Sequence, residues 1–142
     1  MVNFLLLIKE INYYNKNGID KGNIPIIIYK LCSCIRETFC LSYSIRKSNN
    51  LYLYFVKEYV LIRFKGKNLR FLGPDERSQA LLLYKALNKA KHILSPDYER
   101  WYESTPGIYI KIYSDNNTFI NSFFSNRKGK IYFILDNFEK KN

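Results

Sequence analysis

Gly73-Pro-Asp-Glu-Arg-Ser-Gln-Ala-Leu-Leu-Leu-Tyr-Lys-Ala-Leu-Asn-Lys-Ala-Lys91 is the stretch from which the fold can be read. Its opening four residues start a helix: proline is tolerated in a first turn, and the carboxylates of Asp75 and Glu76 face the positive end of the helix dipole. Ala80, Leu83, Leu87 and Ala90 then recur at helical spacing with Tyr84 beside them, while Lys85, Lys89 and Lys91 fall elsewhere. One face of this helix must therefore lie on an apolar layer.

That layer is a sheet. Residues 2–9 are apolar on both faces and read as a buried strand, followed by a turn-rich segment over 12–23. Pro25 leads into a second helix, expected to reach about Ser44, with Leu31, Ile35, Thr38, Phe39 and Ser42 on its inner side. Residues 51–56 are apolar at successive positions, as a strand covered on both faces requires. Residues 59–65 alternate Val60, Ile62 and Phe64 with Leu61, Arg63 and Lys65, which predicts an antiparallel neighbour with one wetter face. Further along, 97–102 reads as a short helix, 104–107 as a loop, 108–113 as extended, 118–126 as a weak helix and 131–135 as the last strand. The polar end, 138–142, is expected to fray. The order of elements is that of an α/β domain over residues 1–142, a mixed sheet flanked by helices. In such sheets ligands gather at strand ends and topological switch points, which directs attention to the loops after Lys65 and Leu135.

Composition narrows the function classes. The 142 residues carry 23 Lys and Arg against 12 Asp and Glu, a formal charge of +11. Such a field concentrates polyanions, and nucleic acid is the favoured partner. No apolar run approaches the roughly 18 residues of a membrane span, and 4–8 is too short for a signal sequence. A cytoplasmic protein with no membrane partner is expected. Cys32, Cys34 and Cys40 read as reduced core thiols of the second helix. With His92 the only histidine, no metal site is expected.

Two segments carry a resemblance. Leu69-Arg-Phe-Leu-Gly-Pro-Asp-Glu-Arg-Ser78 and Ser104-Thr-Pro-Gly-Ile-Tyr109, at that separation, resemble the archaeal tRNA pseudouridine-54 N1-methyltransferases, members of the SPOUT (alpha/beta knot) superfamily. Ser42-Tyr-Ser-Ile-Arg46 resembles the segment after that family's first helix, and Gly129-Lys-Ile-Tyr-Phe-Ile-Leu135 its strand leading toward the knot. The resemblance implies a SPOUT-like fold, a homodimer, tRNA as substrate and S-adenosyl-L-methionine (SAM) as cofactor. Ile134 and Leu135 correspond to the wall of the donor pocket. Ile26 to Tyr29 and Ser33 stand where the family has Gly-Arg-x-Asp and a following Arg.

The sequence ends at Asn142, ahead of the family's trefoil knot, so an incomplete donor pocket in these residues is expected, with a separate chain as one source of the knot. Arg46, Lys65, Lys67, Arg70 and Arg77 are candidates for RNA contacts, with Phe64, Phe71 and Trp101 as possible stacking platforms. Gly107 could let loop N–H groups approach an anion. Asp75 and Glu76 are possible carboxylate partners in proton transfer, yet both are explained as helix N-terminal charges, with Arg77 pairing to one of them. Two alternatives to an enzyme stand beside this: a non-catalytic RNA-binding relic and a protein-interaction module.

Overall fold

The computed structural model describes residues 2–9, 11, 13–41, 44–125 and 132–135, the last four as backbone. Strand β1 is Val2–Ile8, β2 Asn49–Phe55, β3 Val60–Lys65, β4 Tyr102–Glu103, β5 Ile108–Ile112 and β6 Tyr132–Leu135. Helix α1 is Lys16–Asp20, α2 Ile26–Phe39, α3 Glu76–Lys91 and α4 Asn116–Ser125. The strands form one mixed sheet in the order β4-β5-β3-β2-β1-β6. β1 runs parallel to β2 and β6, whereas β3 is antiparallel to β2 and β5.

Alternation along the strands divides the core in two. Leu6, Ile8, Leu51, Leu53, Phe55, Ile62, Phe64 and Ile110 face one layer, where they meet Leu31, Ile35 and Phe39 of α2 and Leu83, Ala86 and Leu87 of α3. Leu5, Tyr52, Tyr54 and Leu61 face the other side, where α4 delivers Phe119 and Phe123. Phe119 stacks on Tyr54 with ring centroids 3.6 Å apart. Every residue of β2 is buried, as its unbroken apolar run predicts for a central strand.

α3 forms as its sequence dictates. Asp75 is the N-cap, its carboxylate accepting from Ser78 N at 3.0 Å, and Pro74 precedes the cap. Ala80, Leu83, Leu87 and Ala90 are all buried. Removing the cap acceptor orphans a first-turn N–H, so Asp75→Ala is expected to lower stability by about 1 kcal/mol, read as a shifted urea midpoint at unchanged slope.

Four local expectations are corrected. α2 stops at Phe39, not Ser44, because Cys40 turns extended and bridges Ile45, and Arg46 N donates to Phe39 O at 2.8 Å. Cys40 is therefore the helix's C-cap and not part of its body. The turn-rich stretch contains α1, nucleated by the Asn15 side chain accepting from Gly18 N at 2.8 Å. The segment expected as a helix over 97–102 instead turns at Tyr98 and Glu99 and enters β4, with Tyr102 opposite Ile110. The second face of β3 is drier than its alternation suggests, since α4 covers Leu61, and Arg63 and Lys65 are half-buried. Ser42, Tyr43, Asn126, Ile131 and the expected frayed tail lie outside the described residues.

Candidate functional site

The parallel strands define a polarity. The carboxyl ends Ile8, Phe55, Ile112 and Leu135 lie at one end of the sheet, where β3 begins, while Lys65 pairs with Asn50 near the other end. The chain leaves β1 through α1 and α2 on one face to reach β2, and reaches β6 on the other side of β1 through α4 on the opposite face. Ligands of open sheets collect beyond the carboxyl ends of parallel strands, which here are those of β1, β2 and β6. Ile134 and Leu135 pair with Leu5 and Leu6 near those ends. Of the two loops singled out from sequence, the one after Lys65 lies at the far end of the sheet, and the one after Leu135 lies outside the described residues.

The far end gathers the basic residues. Gly66 starts a 3-10 turn, Gly66–Asn68, and is packed against the turn before β2: a Cβ there would lie 2.6 Å from Arg46 O and 3.2 Å from Lys47 O. Only a glycine lets the two backbones meet, and that contact brings Arg46 and Lys47 alongside Lys65 and Lys67. Arg46, Lys47 and Lys67 are exposed and Lys65 is half-buried.

Gly107 closes the same region from the other side. Its φ is +90°, Lys65 N donates to its carbonyl at 2.8 Å, and a Cβ would fall 2.5 Å from Leu69 N. The need for glycine there is met by backbone fit. Arg70 follows, exposed, its guanidinium donating to its neighbour's carbonyl at 3.4 Å, and Phe71 beside it is 67% exposed.

Arg77 is drawn elsewhere. It pairs with Asp20 of α1 at 2.8 Å and not with Asp75 or Glu76. Phe64 is fully buried against Phe39 and serves the core, not a surface platform. Trp101 is half-buried under the guanidinium of Arg63, 4.2 Å from the ring centroid. Lys47, Arg63, Tyr109 and Lys111 were not singled out from sequence. The alternation of 61, 63 and 65 was the available signal for Arg63, and that of 109 and 111 the signal for the other strand.

Near the carboxyl ends, the segment after β1 and the end of α3 form a groove lined by Tyr13, Phe55, Glu58, Val60, Leu87 and Lys91. Lys91 Nζ lies 4.8 Å from the Tyr13 ring centroid. Among the described residues no group of His, Cys, Asp and Glu could hold a metal, and no helix is long and apolar enough to cross a membrane.

The cysteines are free, and burial raises all three thiol pKa values, that of Cys32 to about 12. Cys32 is 0% exposed, so at pH 8 it is expected to react with a thiol reagent only when the chain unfolds, which timed labelling with and without denaturant would show.

Residues 23–127 match the family described as "Putative SAM-dependent RNA methyltransferase". The chain belongs to this family. It is similar to the tRNA (pseudouridine(54)-N(1))-methyltransferase of Methanosarcina acetivorans, 36% identical over 108 residues that make up 74% of this chain and 46% of the relative. To the protein of the same name from Methanocaldococcus jannaschii it is 36% identical over 84 residues, 57% of this chain and 41% of the relative. The match to the Methanococcus maripaludis protein is 31% over 142 residues, 94% of this chain and 65% of the relative. The chain spans less than half the length of the first two relatives.

Proposed function

We propose that this chain serves the SAM-dependent methylation of N1 of pseudouridine-54 in tRNA, with its basic sheet end holding the RNA. The observation that carries the reading is family membership across 23–127, a span containing the basic turns and α3. The printed activity of the relatives and the formal charge of +11 support the same substrate class.

The reaction joins N1 of the base to a methyl carbon as the S–CH3 bond breaks, releasing S-adenosylhomocysteine and the N1 proton. SAM supplies the electrophilic methyl when bound. The donor would lie beyond the carboxyl ends of the parallel strands β1 and β6, with Ile134 and Leu135 on one wall. Arg46, Lys65, Lys67 and Arg70 would hold phosphates, fixing where the target base can reach, and positioning of this kind supplies much of the rate. Arg77, ion-paired to Asp20, would join them by exchanging partners. Gly107 would shape the turn that carries Leu69 and Arg70. A SPOUT-type knotted homodimer, or a separate chain completing the knot, working in the cytoplasm on tRNA, belongs to the same proposal.

The test is nucleoside analysis of tRNA incubated with the chain and methyl-labelled SAM. N1-methylpseudouridine should form with pseudouridine at position 54 and not with uridine there. A chain that binds the tRNA but transfers no methyl, and gives no heat with SAM in calorimetry, contradicts the catalytic reading and leaves the RNA-binding relic.

A further inference from the structure

Beside the basic end, on the face shared with α4, lies a cluster that the reading above does not use. Arg63 of β3 faces Tyr109 across the ladder, and its guanidinium lies 4.2 Å from the Trp101 ring centroid and 4.8 Å from that of Tyr109. Lys111 Nζ sits 5.8 Å from Trp101 and 5.4 Å from Tyr113. Arg63, Trp101, Tyr109 and Lys111 are all half-buried, so part of each remains open to solvent.

Among the described residues, neither cation has an anionic partner. Among the described residues, Arg63 Nε is buried with no hydrogen-bond partner, and the charged ends of Arg63 and Lys111 lie over aromatic rings. Leaving a cation partly dehydrated and without an acceptor is unfavourable unless something supplies the negative charge. Glu103 pairs with Tyr109 in the same row but is exposed. Lys65 stands two residues along β3 on the same face, so the cluster continues directly into the basic turns.

We propose that Trp101 and Tyr109, with Arg63 and Lys111, form a platform for an unpaired nucleotide of single-stranded RNA, the base stacking on a ring and its phosphate meeting the two cations. This rests on the RNA-binding reading and adds to it that the partner presents an unstacked loop base here. Flat rings with unpaired cations match a nucleotide better than a plain polyanion, which would gain nothing from the rings. A protein partner would need apolar or acidic complementarity, and the surface offers cations held over rings.

Trp101 is the chain's only tryptophan, so its emission reports the platform directly. Titrating the full chain with short oligouridylate should quench that emission saturably. Heparin, an anion without bases, should compete for binding yet quench little. Tyr109→Ala and Trp101→Ala should each weaken oligouridylate binding about tenfold, while Trp101→Phe should retain most of it, with circular dichroism confirming the fold. If labelled oligouridylate binds by anisotropy but leaves Trp101 emission unchanged, the platform is overturned and the RNA-binding reading stands. Equal quenching by heparin makes the site a general anion site and overturns stacking. If nothing binds even at low salt, the RNA reading itself falls and the platform with it.

Discussion

Replacing Gly107 by alanine is expected to destabilise the chain by about 2–6 kcal/mol, a large share of the roughly 5–15 kcal/mol by which domains are usually stable. Two costs combine. At φ +90° a side chain adds backbone strain of about 1–3 kcal/mol. A Cβ 2.5 Å from Leu69 N and 2.6 Å from Leu69 Cα also cannot be housed without moving the backbone, an overpacking cost of about 1–3 kcal/mol. Gly22 is the control, because its φ is +69° but a Cβ there meets nothing within 4 Å. Gly22→Ala should therefore show only the strain, about 1–2 kcal/mol. Urea denaturation of both variants measures the difference, and equal losses would mean that Gly107 and Leu69 are not in close contact.

The second large effect concerns RNA. Substituting Arg46, Lys65 and Lys67 together by alanine should weaken tRNA binding on the order of 100-fold at low salt and flatten the dependence of log K on log salt by about 2–3. Gly66 lets the turn at Arg46 and Lys47 rest between Lys65 and Lys67, so separate stretches of chain present their charges together. Arg77→Ala should change the slope less, since its guanidinium is already paired with Asp20. Filter binding at several salt concentrations gives both numbers. An unchanged slope for the triple variant would remove this surface from the RNA contact.

α3 was legible because its signals agree: a capping carboxylate, an apolar stripe at helical spacing and lysines off the stripe all indicate one helix. β2 was readable from an unbroken apolar run and the inner face of β3 from alternation, which did not reveal how dry its second face is. The sequence could not show which residues would cover Leu61, because Phe119 and Phe123 lie some sixty positions away in a helix with weak local preference. α1 has five residues and rests on one Asn15 cap and on packing against α3, so no periodic pattern could reveal it. The end of α2 was misplaced because the bridge between Cys40 and Ile45 breaks the helical run, and that pairing leaves no trace in hydrophobic spacing.

The candidate site was legible only in part. Arg46 lies nineteen positions before Lys65 and twenty-one before Lys67, and the structure packs its turn against Gly66 between those two lysines. Phe64 misled because an aromatic residue in a basic stretch looks alike whether it faces the core or solvent, and only the register of β3 decides. Arg63 was passed over as a solvated residue, since nothing local shows that Trp101 and Tyr109 would bracket it.

In the proposed function RNA is held at the Asn50–Lys65 end of the sheet, while the methyl donor belongs at the carboxyl ends of β1 and β6. Photo-crosslinking of tRNA to the chain, with peptides mapped by mass spectrometry, tests it most directly. Crosslinks concentrated in the segments carrying Arg46 and Lys47, Lys65 to Phe71, and Trp101 are predicted. Crosslinks confined to the groove at Tyr13, Glu58 and Lys91 would contradict it.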